Sequence, residues 1–184
     1  MNRIAASALT AVAAVLLLAI IAFACYDAIV FQPRRAEIQA LLQRAPAEDR
    51  DPPALIRRYI LASHQADYPP TTAVARMLLA RLDVSRDGGM PAWHARTALW
   101  DRLVWLHLSQ DEILALYTTL SYNGSGHGLN QLSQRLYAKP LSALSESEAA
   151  TVVAILWSPS LYLSDRPRLD RRRDLLMARA RAAH

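Results

Sequence analysis

The sequence has 184 residues, of which 53% are apolar, and a formal net charge of +5. This length suits one domain with an appendage, and a single cysteine excludes an internal disulfide framework. The charge is local, because seven arginines lie between Arg166 and Arg181. Such a segment is typical of a phosphate- or membrane-binding helix, or of a solvated helix face. The sequence has neither an aromatic-interleaved basic patch nor zinc-finger spacing, so nucleic acid is a poor candidate as a partner.

The N-terminal stretch predicts a transmembrane helix. Residues Ile4–Cys25 include no charged side chain, and as a helix they would span roughly 33 Å, enough to cross a bilayer core of ~30 Å. A cleaved signal peptide and a lipoprotein modified at Cys25 stay open as alternatives, although the apolar run is longer than a signal core of ~7–15 residues. We predict an uncleaved anchor over residues 1–32. The arginines that flank it leave its orientation nearly undecided.

The rest of the chain is predicted to be a helical domain behind a spacer. Residues 33–53 hold several prolines and are interpreted as a stalk and linker, and residues 54–184 as the domain. No segment shows sustained period-two alternation, so the fold class is all-α. The predicted helices are 54–67, 71–82, 91–107, 109–120, 129–138, 146–157 and 167–182. Capping-box spacing marks two helix starts, at Ser109 with Glu112 and at Ser145 with Glu148.

Two clusters of unusual residues have open interpretations. Gly124, Gly126 and Gly128 indicate either a tight helix–helix connection or a close approach to a ligand. Three tryptophans lie along the third predicted helix. Buried, they would be core; exposed together, they would mark a surface that faces a partner or a membrane. These tryptophans are Trp93, Trp100 and Trp105.

From Gln110 onward the chain carries short motifs in a fixed order. They are Ile113-Leu114 with Tyr117, the glycine turn 124–128, Arg135 to Lys139, Leu144-Ser145 with Glu148-Ala149-Ala150, Pro159-Ser160 with Tyr162, and Arg172-Arg173 with Leu176-Met177. In order and spacing they resemble the C-terminal half of a bacterial peptidoglycan glycosyltransferase domain of family 51, the type found in penicillin-binding proteins and monofunctional transglycosylases. The resemblance covers less than half of the chain, and it implies a divergent, truncated remnant of a lysozyme-like core.

The resemblance also implies a chemistry whose expected carboxylates are missing. Polymerising a glycan needs a general base for the acceptor hydroxyl, and removing such a base costs about 10²–10⁴-fold in rate. The family supplies it from a Glu-Asp-x-x-Phe motif. Aligning the aromatic of that motif with Tyr68 puts His64 and Gln65 at the two acidic positions. A second family glutamate falls at Thr97.

A further family motif and a small lobe also differ. The Gly-x-Ser-Thr-x-Thr-x-Gln motif is nearly erased in Thr71–Leu82. Only Pro69 and Pro70 stand where the family has a membrane-facing lobe. We therefore expect no catalytic residue. The fallback is a base formed by His64 and Asp67, which are three residues apart and would meet on one helix face.

The motif match assigns substrate binding to four side chains, which are Tyr117, Lys139, Arg172 and Arg173. Arg173 falls within the apolar stripe of the last predicted helix, where it must find a partner or a groove. It is interpreted as an ion pair that holds the helix, as a guanidinium facing a diphosphate, or as an exposed charge on a rotated helix. No residue cluster has metal-ligand spacing, and no cofactor is expected.

The sequence predicts a cell-wall assembly protein in the bacterial inner membrane, single-pass, with its helical domain outside and its N-terminus in the cytoplasm, as the resemblance implies. The leading hypothesis is a catalytically impaired member that binds a cell-wall synthase or the lipid-linked peptidoglycan precursor. The alternatives are an active, divergent glycosyltransferase and a purely structural membrane adaptor. Besides the lipid bilayer, the expected partners are that precursor and a synthase.

Overall fold

The computed structural model describes residues 3–64, 69–84 and 88–182. In these residues the chain forms α-helices and no strand beyond an isolated bridge between Tyr122 and His127. The helices are α1 Arg3–Tyr26, α2 Arg35–Arg44, α3 Ala47–Arg50, α4 Ala54–Ser63, α5 Pro70–Arg81, α6 Gly89–His107, α7 Gln110–Leu120, α8 Leu129–Tyr137, α9 Glu146–Ile155, α10 Pro159–Ser164 and α11 Arg166–Ala182. The all-α prediction is confirmed.

The chain divides into two compact units, Met1–Glu37 and Ile38–His184. The first contains α1, the π-helical turn Asp27–Phe31 and the 3₁₀ turn Gln32–Arg34. The continuous helical run Leu9–Arg44 is long and apolar enough to cross a membrane, and its most apolar part is not buried by the rest of the chain. A signal sequence near the N-terminus meets the same criterion of length and apolar character, so this helix does not distinguish the predicted anchor from a signal peptide.

In the second unit the core forms around α7 and α9. Every residue of α9 from Ala149 to Ile155 is buried, and α7 is buried along most of its length. Helices this apolar on all sides belong in the middle of a domain. The helices α4 and α11 pack against α9, and α5 packs against α6 and α7. The two predicted capping boxes, at Ser109 and Ser145, are confirmed at the starts of α7 and α9.

The segment interpreted as a linker contains a short helix with one buried carboxyl group, that of Asp49. Asp49 of α3 is 2% exposed, and its Oδ1 accepts the backbone N–H of Asn130 at 2.9 Å at the start of α8. Glu48 accepts the backbone N–H groups of Leu141 and Ser142 at a 3₁₀ turn. The sequence did not predict this helix, because the segment is polar and contains prolines. Its acidic residues cap α8 and the 3₁₀ turn, which lie far along the chain, so no local pattern indicates their role.

The glycine turn is built around one asparagine. Asn123 is fully buried. Its Oδ1 accepts the N–H groups of Ser125 and Gly126, and its Nδ2 donates to the carbonyl of Gly128 at 3.0 Å. At Gly124 a Cβ would lie 2.5 Å from a methyl group of Leu163. These contacts within the chain favour the tight-connection interpretation of the turn.

Candidate functional site

The helix α4 brings His64 to the edge of a cleft of about 390 Å³. We call it the His64 cleft. It is lined by His64, Ala73, Arg76, Met77, Tyr117, Leu156 and Trp157. These residues come from α5, α7, the end of α4 and the segment after α9. The cleft therefore joins the position expected for the base with Tyr117, one of the predicted substrate-binding residues.

The backbone and its neighbours fix the His64 ring. Its Nδ1 lies 3.0 Å from the carbonyl oxygen of Ile60 and 2.9 Å from Oγ of Ser63. A carbonyl oxygen only accepts, so Nδ1 carries the proton and a neutral ring has its lone pair on Nε2. The ring also meets Tyr117 edge-on, with 5.1 Å between the ring centroids. Burial lowers the pKa of His64, and the positive charge of Arg172 lowers it further.

The premise for a base formed by His64 and Asp67 is wrong in one respect. The helix α4 ends at Ser63, and His64 has extended backbone with φ −100° and ψ 151°. His64 therefore lies outside the helix on which the sequence placed it. Pro69 and Pro70 follow a few residues later. Proline disfavours the helical conformation in the residue before it, so the helix must end before these prolines. Asp67 lies outside the described residues.

Arg172 of α11 is held over the indole ring of Trp157. Its guanidinium carbon lies 4.9 Å from the ring centroid, which is cation–π geometry. Its Nε is buried and has no hydrogen-bond partner in the described part of the chain. Because Trp157 lines the His64 cleft and the charge of Arg172 acts on His64, Arg172 contributes positive potential to this cleft.

The other two predicted cations are held by carboxylates. Nζ of Lys139 donates to both carboxylate oxygens of Glu148, at 2.7 and 3.0 Å. Arg173 pairs with Asp170 and Asp174, each at 2.8 Å, and both partners belong to its own helix. Neither cation is among the residues that line the His64 cleft. Their assignment to substrate binding therefore stays a prediction.

The second expected carboxylate position is occupied by an internally bonded hydroxyl. Thr97 is buried in α6, and its Oγ1 donates to the carbonyl of Trp93 at 2.9 Å. Asp101, one turn further along, accepts a hydrogen bond from Oγ1 of Thr72 at 2.7 Å. That bond links α6 to α5. Glu112 serves its capping box and also accepts from Gln39 at 2.8 Å.

Of the cleft residues that sequence reasoning missed, Arg76 is the only cation and Trp157 the only aromatic one. Arg76 lies within Thr71–Leu82, where most hydroxyl groups of the family motif are absent. A positively charged residue in that segment was the signal that could have identified it. Trp157 lies two residues before the Pro159-Ser160 motif, and Arg172 lies beyond the same motif. Because α10 turns the chain between them, their proximity depends on an element that the sequence presented as a turn.

Within the described residues, no group of three or more His, Cys, Asp or Glu side chains could hold a metal ion. The cations near the His64 cleft are instead guanidinium groups. These bind the oxygens of phosphate and carboxylate groups in a planar, bidentate geometry. The cleft can therefore bind an anionic group. The two positions where the family has glutamates hold His64 and Thr97, so neither supplies a carboxylate.

Comparison with known proteins tests the resemblance. A family model described as Transglycosylase matches residues 96–181. A protein named biosynthetic peptidoglycan transglycosylase, from Cronobacter sakazakii, is 40% identical over 60 residues, which cover 32% of this chain and 25% of that protein. The aligned stretch thus spans about a quarter of that relative's length. His64 and Arg76 precede the residues that the family model matches. Residues 96–181 are therefore similar to transglycosylases, which confirms the predicted resemblance over that part of the chain.

Proposed function

We propose that this chain is a membrane-anchored, transglycosylase-like protein of cell-wall assembly that binds lipid-linked peptidoglycan precursor without polymerising it efficiently. The observation that carries the proposal is the absence of a carboxylate at both positions where the family has a glutamate. His64 and Thr97 stand where the family has glutamates, and both side chains are bonded within their own helix or its end.

The environment of His64 opposes its use as a base. When an imidazole takes a proton from a hydroxyl group, it becomes a cation. Burial of the ring disfavours that cation, and the nearby charge of Arg172 disfavours it further. The lowered pKa therefore weakens proton transfer at the one position that could replace the glutamate.

The cations of the cleft support binding. The diphosphate of a lipid-linked precursor is a compact anion. The guanidinium of Arg172 lies over Trp157 of the cleft, and its Nε has no hydrogen-bond partner among the described residues. Trp157 and Tyr117 offer apolar and aromatic surface next to this charge. A ligand with an anionic group next to an apolar group would complement this cleft, because the cleft places a guanidinium next to aromatic side chains.

The alternative of an active, divergent glycosyltransferase has one observation in its favour. The neutral His64 ring carries its proton on Nδ1, so Nε2 has the lone pair that a base requires. The structural-adaptor alternative is favoured by the carboxylate pairs that hold Lys139 and Arg173. For localisation, we propose a single pass through the bacterial inner membrane with the folded unit on the external side and a synthase as a further partner.

The decisive experiment is polymerisation and binding of fluorescent lipid-linked disaccharide precursor by the full chain in detergent. We expect no polymer, and saturable binding that Arg172→Ala weakens about tenfold or more, because a charge-assisted hydrogen bond to phosphate is lost. The matched control is Arg171→Ala, an exposed arginine on the same helix, which should leave the affinity within about twofold.

Two outcomes would contradict this proposal. Polymer formed by the unchanged chain and abolished by His64→Ala or Asp67→Ala would establish the active alternative and identify its base. Absence of both polymer and binding would support the structural adaptor.

A further inference from the structure

A patch of exposed apolar side chains includes none of the residues that line the His64 cleft. Trp105 of α6 is 67% exposed, and Leu106 beside it and Leu61 of α4 are also exposed. Leu61 and Trp105 border one slot of about 330 Å³, whose other lining residues include Pro70, Leu108 and Leu114. We call Leu61, Trp105, Leu106 and this slot the Trp105 patch. Large exposed apolar groups that cluster mark an interaction surface.

Each side of the patch carries an arginine one helical turn from an apolar residue. Arg102 precedes Trp105 by three residues, and Arg58 precedes Leu61 by three residues. Residues with this spacing share a helix face. Arg102 is exposed and has no ion-pair partner in the described part of the chain. Arg58 forms an ion pair with Glu146, with 2.9 Å between its guanidinium nitrogen and the carboxylate oxygen. The patch therefore combines an indole, leucines and an available guanidinium.

The area of the patch distinguishes between possible occupants. A fully exposed aromatic side chain offers about 150–250 Å², so one tryptophan and two leucines supply a few hundred Å². A stable protein–protein interface needs about 800 Å² from each partner. The patch is too small to hold a second copy of the chain. It is sufficient for a surface that the chain already adjoins, because a tether supplies most of the affinity.

We propose that the Trp105 patch lies in the interface of a phospholipid bilayer with anionic headgroups. Tryptophan is enriched at the depth where acyl chains meet headgroups. Leucines beside it enter the acyl boundary, and the arginine extends toward lipid phosphates. The helical run Leu9–Arg44, which is apolar enough to span a membrane, is the tether on the same chain. This inference goes beyond precursor binding and does not depend on it, but it rests on the proposed membrane anchor.

The chain contains a matched control for this proposal. Trp157 is 53% exposed, close to the exposure of Trp105, but it lines the His64 cleft under Arg172. Two tryptophans of similar exposure therefore differ in the surface they occupy. Replacing either with phenylalanine keeps an apolar ring and removes the indole fluorescence of that site.

The experiment measures quenching of tryptophan fluorescence by brominated lipids, with the full chain reconstituted into nanodiscs of phosphatidylcholine and phosphatidylglycerol. The contribution of Trp105 is the difference between the unchanged chain and Trp105→Phe. We expect bromines placed in the acyl chains near the headgroups to quench that contribution to about half or less. The contribution of Trp157, obtained from Trp157→Phe, should change little. Arg102→Gln should reduce the quenching of Trp105 in the discs that contain phosphatidylglycerol.

Three results would overturn the proposal. Unquenched Trp105 emission would show that the patch stays in water. Equal quenching of both tryptophans would show that exposure alone accounts for contact with lipid. Trp105 emission that shifts with the number of chains per disc, and not with bromination, would assign the patch to a second copy.

Discussion

Trp100→Ala is expected to lower the free energy of unfolding by about 3–5 kcal/mol, the range for removing a buried indole. Trp100 is 0% exposed and is the largest of the fully buried side chains. It lies on α6, which packs against α5. Alanine would leave a cavity there that close-packed neighbours fill only in part.

The control for this prediction is on the same helix. Trp105→Ala removes an identical side chain that is mostly exposed, and its expected cost is within about 0.5 kcal/mol. Equilibrium unfolding in denaturant, in detergent micelles and monitored by circular dichroism, measures both changes. Equal costs for the two substitutions would mean that α6 is not seated with Trp100 inward.

Acidification from pH 7 to pH 4 is expected to stabilise the folded chain by about 2 kcal/mol through Asp49. Burial raises the pKa of Asp49 to about 6 in the folded chain, above its ordinary 3.8, although the N–H groups of Asn130 and Leu129 oppose the shift. Between these two values the folded chain binds the proton more tightly than the unfolded chain. The contribution of Asp49 to stability is therefore greatest below pH 3.8, falls as the pH rises toward 6, and is constant above that.

Asp49→Asn isolates this contribution, because other groups titrate in the same range. Lys139 and the backbone N–H of Ser145 hold the pKa of Glu148 at about 2, so that carboxylate loses stabilising interactions as the pH falls from 4.5. It does so equally in both proteins. The unfolding free energy of the unchanged chain minus that of Asp49→Asn should therefore decline between pH 4 and pH 6. A difference that is independent of pH would contradict the raised pKa.

Local patterns predicted the helices of the C-terminal half closely. Two capping boxes, the glycine turn and helical apolar spacing each involve residues within one or two turns of one another, and such short-range signals are legible in a sequence. The predicted starts at Ser109 and Ser145 hold for this reason. The same reasoning extended α4 beyond Ser63 to residue 67. Apolar spacing indicates that a helix is present but does not show at which residue its backbone hydrogen bonding ends.

The candidate site was only partly predictable. Tyr117 and His64 were identified by motif position, and the structure brings their rings to 5.1 Å. Whether an arginine is available depends on long-range packing. Arg173 meets two carboxylates of its own helix, whereas its neighbour Arg172 crosses to Trp157. Adjacent residues of one type thus have different environments, and no local pattern separates them.

The two carboxylates of α3 have a consequence for the order in which the chain folds during synthesis. Asp49 bonds to a backbone N–H that lies 81 residues later, and Glu48 bonds to one that lies 93 residues later. A ribosome releases α3 long before either partner exists, so this helix must wait with unpaired acidic groups until α8 and the following turn emerge. We infer that the N-terminal edge of the folded unit is completed only after residue 142 has been synthesised, and that a protease should cut near residue 49 in nascent chains but not in finished ones.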